Sequence, residues 1–296
     1  MKKLFALLCF SISFSIFAGE SIDQSIDAEA DGIVDIHNVR GKISIAGWDK
    51  SQVKVTGTLD DLTEEFIFEQ RGDKVLIKIK LPRNSSYHSR QGSKLTIMVP
   101  KASKLNFSGV ATDLMIEQVL GGIDVNSVSG AISVSKARER TYINSVSGLL
   151  SLTDIAGRLE VSTVSGNLDA NVQCQKVNIS GVSAKLDVKL TEIESAHVSS
   201  VSGDVYLYGQ LLADGEIRLG SVSGDAIYYV DDKLDARVTI ETAPGGRIVN
   251  QYSSDKPVSS FIQSHSLKFT AGKGNGLVKM STVSGRIGLK AIGKSN

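Results

Sequence analysis

The most constraining feature of this chain is a valine that recurs at intervals of 18 residues. The strict series consists of Val110, Val128, Val146, Val164 and Val182. A fixed repeat of this length is typical of solenoid proteins, in which each unit buries its apolar face against its neighbours. The repeat therefore predicts the architecture of the chain, but it leaves the biochemistry open.

The apolar residues of each repeat fall at fixed offsets from the valine, counted as position zero. The four repeats of residues 110–181 contain 24 such positions: the valine itself and those at +4, +6, +9, +13 and +15. All of them are apolar except Thr141 and Gln173. At 41% hydrophobic residues, chance would fill about ten of them. An outward +5 position, occupied by Ser133, Ser151 and Asp169 in three of the four repeats, separates +4 from +6. This alternation has the period of a β-strand. We therefore expect all six positions, including the valine, to point into an aliphatic core.

The two halves of each repeat mirror each other, which predicts two strands on opposite sides of one coil. The Ser-Gly pair after the valine supplies the corner, since glycine tolerates conformations that other residues avoid. The predicted fold is all-β, a parallel β-solenoid (β-helix) with about 18 residues and two main strands per coil. Successive coils would pair in parallel at roughly 4.8 Å.

The segments outside the strict repeat also alternate like strands. We predict a β-rich N-terminal cap over 19–104 that is continuous with the solenoid, regular coils over 105–230, and irregular C-terminal coils and a cap over 231–296. Residues 38–45 read as an early copy of the repeat, and Val283 opens a late one. Strand-like runs flank Arg71-Gly72-Asp73, which predicts a hairpin turn rather than a cell-attachment tripeptide.

The chain begins with a basic tripeptide and an apolar run, which is typical of a secretory signal peptide. We place the signal peptide at 1–18, with cleavage near Ala18; a retained membrane anchor is the alternative. The expected location is the periplasm, or the exterior and cell surface. The net charge, +1, gives no electrostatic reason to bind nucleic acid or an anionic lipid surface. Cys174, the one cysteine left after cleavage, is either free or paired with another molecule.

Several motifs together resemble a known bacterial family. The run from Gly41 to Val55 resembles the N-terminal signature of the bacterial "putative adhesin" domain of unknown function, which is related to head domains of autotransporter-like adhesins. The resemblance continues through Leu95–Pro100, the Val-Ser-Gly repeats and Ser281–Ile287. It implies an adhesin-like role and no known catalytic residues.

An aromatic cluster is the preferred candidate for ligand or partner binding. If the register holds, Tyr206 and Tyr208 point outward from one coil, and Ile227 and Tyr229 point outward from the next. Exposed aromatic clusters suit sugars or partner proteins. The alternative is that the rings only stack across neighbouring strands.

Two further patterns support other functions weakly. Rows of Ser and Thr hydroxyls beside the valines could organise water as in ice-binding proteins, although turn hydrogen bonding explains them equally. An outward row of Lys185, Asp187 and Lys189, with Arg158 and Glu160 on the other side, could belong to a carbohydrate-active enzyme or to a solvated charged face.

The chain carries few signals of catalysis. The four histidines match no zinc spacing, no nucleophile elbow occurs, and Ser133-Val134-Ser135-Lys136 fits Ser-x-x-Lys only by composition. We therefore expect no enzyme activity, cofactor, metal or nucleic-acid partner. The preferred hypothesis is an exported envelope or surface scaffold that binds a glycan, protein or other envelope component. The alternatives are a carbohydrate-active β-helix enzyme and, more distantly, an ice-binding protein.

Overall fold

A computed structural model describes residues 20–83, 91–230, 233–261 and 263–292. These residues form 23 strands of one connected sheet, which confirms the all-β prediction. No helix in these ranges is long and apolar enough to cross a membrane. The predicted signal peptide and His88 lie outside the described residues.

The strands carry the numbering used below. They are β1 Ser21–Asp27, β2 Ile33–Trp48, β3 Gln52–Thr58, β4 Glu65–Arg71, β5 Lys74–Lys80, β6 Ser93–Pro100, β7 Lys104–Glu117, β8 Ile123–Ser129, β9 Ile132–Ala137, β10 Arg140–Ser145, β11 Leu150–Ile155, β12 Arg158–Thr163, β13 Leu168–Val172, β14 Lys176–Gly181, β15 Leu186–Ser200, β16 Val205–Ser221, β17 Ala226–Val230, β18 Ala236–Thr242, β19 Arg247–Gln251, β20 Val258–Ser259, β21 His265–Ala271, β22 Gly276–Thr282 and β23 Arg286–Ala291.

The central coils stack through parallel pairing with a register of 18 residues, as in a solenoid. On one side of the stack, β10 lies between β8 and β12. On the other side, β11 lies between β9 and β13, so that Leu150 sits between Ile132 and Leu168. The repeat therefore places equivalent residues above one another, and all three of these leucine and isoleucine side chains are buried.

The core consists of the predicted +4, +6, +13 and +15 positions in every strict coil, together with most +9 positions. Leu150, Leu152, Ile155, Leu159 and Val161 of one coil are each at most 1% exposed. Burying such a side chain contributes about 1.5–3 kcal/mol. Gln173 is an exception at +9, because Val172 and Cys174 on either side of it point inward instead.

The prediction that the repeating valine points inward is wrong. These valines lie at the corner of the coil and are 42–48% exposed. The residue just before each valine takes the inward position instead. In most coils it is serine or threonine, and its hydroxyl bonds the corner backbone, as from Ser145 Oγ to the Ser147 carbonyl at 3.1 Å. At Gly181, which holds this position two coils after Ser145, an added Cβ would already lie 3.3–3.4 Å from the Ala184 and Leu186 side chains, so this end of the core favours small residues.

The corners follow the predicted serine and glycine chemistry. Gly148 has a φ of 118°, a conformation that L side chains rarely adopt. Its Cα also faces the backbone of Gly130 in the preceding coil so closely that a methyl group would overlap the Gly130 carbonyl. Ser147 Oγ donates to the Val128 carbonyl at 3.2 Å. The serine hydroxyls therefore bond one coil to the next, which favours turn hydrogen bonding over water organisation.

The N-terminal end of the stack is built out of chain order. β2 pairs in parallel with β7 on one side and with β5 and β6 on the other. Ile43 lies opposite Leu114, so residues 38–45 are a copy of the repeat, as the sequence predicts. β4 and β5 form the predicted hairpin, with Gly72 and Asp73 at the turn.

The C-terminal end is also out of order. β22 lies between β16 and β18, and β23 lies between β17 and β19. The last repeat, which begins at Val283, therefore lies between the coil of β16 and β17 and the coil of β18 and β19, although it follows both in sequence. The antiparallel β21 pairs with β18 and is followed by β20.

Candidate binding surface

Strand alternation places the three candidate tyrosines on one outward face. In β16, Val205 and Leu207 are buried, and Tyr206 and Tyr208 are half-buried on the other side. Tyr229 lies opposite Tyr208 in the parallel pair of β16 and β17.

Ile227 departs from the prediction for this face. The register places it outward beside the tyrosines, yet it is only 4% exposed. It lies opposite Tyr206 and two residues before Tyr229, so the larger rings flank and cover it.

The tyrosine rings are ordered by contact with one another. Tyr208 and Tyr229 stack with ring centroids 4.5 Å apart and planes 5° from parallel. Tyr206 adds a tilted contact to Tyr229 at 6.4 Å. Because parallel stacking covers one face of each ring, Tyr208 and Tyr229 keep only their outer faces and their hydroxyl edges for other contacts.

Three lysines flank the rings. The ammonium nitrogens of Lys185, Lys189 and Lys290 lie 5.4, 5.9 and 5.8 Å from the centroids of Tyr206, Tyr208 and Tyr229, respectively. These distances allow cation–π attraction. The tyrosine–lysine patch, defined as these six residues, therefore presents phenol hydroxyls and cations rather than a bare aromatic surface.

Carboxylates border the patch and tune its protonation. Burial, followed by the nearby Asp204 carboxylate, raises the pKa of Tyr206, whose hydroxyl donates to Asp204 at 3.3 Å. Burial and the neighbouring Tyr229 raise the pKa of Tyr208. Hydrogen bonds from Arg286 lower the pKa of Asp225, against the opposing effect of burial. The raised pKa keeps Tyr206 and Tyr208 protonated at physiological pH, and the lowered pKa keeps Asp225 ionised.

The outward row of Lys185, Asp187 and Lys189 belongs to this same surface. Lys189 lies 3.6 Å from Asp187 and also contacts Tyr208. Arg158 and Glu160 lie on the opposite side of the stack, where Glu160 pairs with Arg140 at 3.4 Å. The two charged groups are therefore separated by the core and form no joint site.

The remaining motifs have local partners. Lys136 of the Ser-x-x-Lys match pairs with Glu117 at 2.7 Å. Outside these motifs, the glycine-rich segment Gly272–Gly276 forms a turn, in which Asp235 accepts from the Gly274 amide at 2.7 Å. Among the described residues, no group of three or more His, Cys, Asp and Glu side chains could hold a metal ion.

A second surface, which sequence reasoning missed, runs along the corner of the coils. The exposed valines form one wall of a groove of about 740 Å³. We call this groove the valine trough. Its valines are Val39, Val110, Val128, Val146, Val164 and Val182. The 18-residue repeat of valine already indicates an apolar row. The prediction that these valines point into the core is the reason the row was not recognised as a surface.

Comparisons with known proteins agree with the resemblance seen in the sequence. The model of the Toastrack DUF4097 family matches residues 30–290. A search of curated proteins found no relative.

Matches among solved structures include two described as putative adhesins. The protein from Parabacteroides merdae is 8% identical with a TM-score of 0.49, and the match covers 92% of this chain and 96% of that one. The protein from Bacteroides fragilis is 11% identical with a TM-score of 0.45, covering 92% and 98%. A "putative cell adhesion protein" from Clostridium sporogenes is 13% identical with a TM-score of 0.22, covering 92% and 100%.

Proposed function

The chain belongs to the Toastrack DUF4097 family, and on this premise we propose that it is an exported, non-enzymatic binding scaffold of the cell envelope or surface, adhesin-like in role. Its location would be the periplasm or the cell surface, after removal of residues 1–18. The observation that carries the proposal is the tyrosine–lysine patch, which lies on the outward face of a rigid stack of strands.

The patch suits binding because its side chains are ordered in advance. Tyr208 and Tyr229 hold each other by stacking, and lysines flank the rings. A partner would therefore cause little further loss of side-chain freedom, which otherwise costs about 0.5–1.5 kcal/mol for each immobilised flexible side chain. Phenol donors beside ammonium groups favour a partner that carries hydroxyl, carbonyl or anionic oxygen atoms. A glycan or an acidic protein surface of the envelope has this chemistry.

The test is a binding comparison with the processed chain. We expect the wild-type protein to retain a component of envelope fractions or of a glycan array, and the Tyr206→Ser, Tyr208→Ser, Tyr229→Ser triple variant to lose it. Tyr142→Ser is the matched control, because Tyr142 lies on the opposite face and has its own cation–π contact with Arg140 at 5.0 Å.

Three outcomes would count against the proposal. If the triple variant retains the same component as the wild-type protein, the patch is not part of the binding surface. If the wild-type chain produces new reducing ends or unsaturated products from a polysaccharide, the protein is an enzyme and not a scaffold. Fractionation of the native host that finds the protein only in the cytoplasm would exclude the envelope location.

A further inference from the structure

The valine trough extends along seven neighbouring strands. Its polar wall begins at Lys78 and passes through His37 and Ser108 to Ser180, each residue lying opposite the next in parallel register. At roughly 4.8 Å per strand the six intervals give a length of about 29 Å. Between the valine wall and this polar wall, the floor is made of small residues such as Gly109, Ser127 and Gly181.

Most of the polar wall is hydrogen-bonded within itself or to neighbouring side chains. Asn144 donates from Nδ2 to Asn126 Oδ1 at 3.1 Å and to the Tyr142 hydroxyl at 2.8 Å. The hydroxyls of Ser162 and Ser180 bond each other at 3.1 Å. The floor hydroxyls bond the corner backbone, as Ser145 does. A polar ligand would therefore have to displace several of these bonds, whereas an apolar ligand lying along the valines would leave them intact.

Charge is confined to one end of the trough. From Ser108 to Val182 every lining residue is neutral, while Lys78 and His37 line the end nearest β5. His37 is paired with Asp35 at 3.3 Å, so Lys78 supplies the cation. An apolar channel that ends at a lysine is complementary to a molecule with an uncharged chain and a single anionic end.

We propose that the valine trough binds one fatty-acyl chain with an anionic head group, the chain lying along the valines and the head group near Lys78. The trough is long enough to hold an extended long acyl chain, and its volume of about 740 Å³ is in the usual range for ligand sites. An extended peptide fits less well, because its side chains on one face repeat at about 6.6–6.8 Å and not at the 4.8 Å of the valines. This site is separate from the tyrosine–lysine patch and does not depend on it.

The experiment titrates the processed chain with saturated fatty acids of eight to sixteen carbons, each below the concentration at which it aggregates, by calorimetry. We expect one site, with affinity rising about twofold to fourfold for each added methylene. The Val110→Thr, Val128→Thr double variant, which changes the valines within reach of a twelve-carbon chain anchored at Lys78, should weaken dodecanoate binding about tenfold. The matched control is Val222→Thr, Val283→Thr, which changes two valines of the same ladder outside the trough and should leave the affinity unchanged.

A second arm tests the head group. Lys78→Gln should weaken dodecanoate binding about twofold to fivefold at low salt, and should leave 1-dodecanol binding unchanged. Absence of saturable binding, affinity independent of chain length, or equal losses in both valine double variants would overturn the proposal. Concentration-dependent dimerisation that only the trough variant abolishes would assign the trough to a second copy, and tighter binding of an apolar peptide would assign it to a protein segment. The chain-length series uses the unmodified protein, so it decides the question even if a variant fails to fold.

Discussion

Replacing Gly148 by alanine would test the corner on which the stacking of coils depends. The added methyl group would overlap the Gly130 carbonyl oxygen and lie 2.9 Å from its carbon. Real Cβ contacts are longer than 3.0 Å, and the obstacle here is backbone, which cannot rotate away. The φ of 118° adds strain of about 1–3 kcal/mol, and overpacking adds about 1–3 kcal/mol. We therefore expect a loss of about 2–6 kcal/mol in the free energy of unfolding.

Gly72→Ala provides the matched control for this substitution. Gly72 also has a positive φ, 64°, but nothing lies within 4 Å of a Cβ at that position. Its cost should be about 1–2 kcal/mol, from backbone conformation alone. Urea unfolding followed by circular dichroism measures both, and the slope with denaturant shows whether unfolding stays cooperative. Equal losses in the two variants would refute the close approach of neighbouring corners.

Two further predictions concern the core. Leu150→Ala should lower the free energy of unfolding, measured with urea, by about 2–5 kcal/mol, because Leu150 is fully buried. Val146→Ala should lower it by less than about 1 kcal/mol, because Val146 is 46% exposed. Equal losses would contradict the corner position of the valine. Burial raises the pKa of the Cys174 thiol to about 12. A raised folded pKa gives stability that is complete below the unfolded pKa, near 8.5, and is lost as pH rises toward the folded value. The free energy of unfolding should thus fall by about 1.4 kcal/mol per unit between roughly pH 9 and 11 relative to Cys174→Ala, whereas parallel pH curves would show that the thiol is accessible.

The sequence predicted the straight parts of the coils well and the corners poorly. Positions such as Leu150 and Leu152 alternate with polar residues, and period-2 alternation follows directly from strand geometry. At a corner the backbone leaves this geometry, so the alternation no longer tells which side chain points inward. Hydrophobicity predicts that Val146 lies in the core. The smaller Ser145 lies there instead, and its hydroxyl donates a hydrogen bond to the backbone. A pattern of apolar and polar residues records neither size nor local hydrogen bonding.

The candidate surface was predictable in part for a related reason. Alternation within β16 placed Tyr206 and Tyr208 outward. The lysine beside Tyr229 is Lys290 of β23, 61 residues later in the chain. It is brought there by the pairing of β17 with β23, which the 18-residue repeat does not predict. Arg286 reaches Asp225 through the same pairing. Contacts made by out-of-order strands are long-range, and the local sequence does not encode them.

The inversion of strand order at both ends has a consequence for how such a molecule could change in length. Sequence appended beyond β23 would not extend the row of coils at its tip, because β18 and β19 already lie outside β22 and β23. Duplicating one 18-residue unit between β8 and β14 would preserve every existing interface and add one more. Homologues of different size should therefore differ by whole units in the interior, and the valine trough would lengthen with each insertion while both ends kept their form.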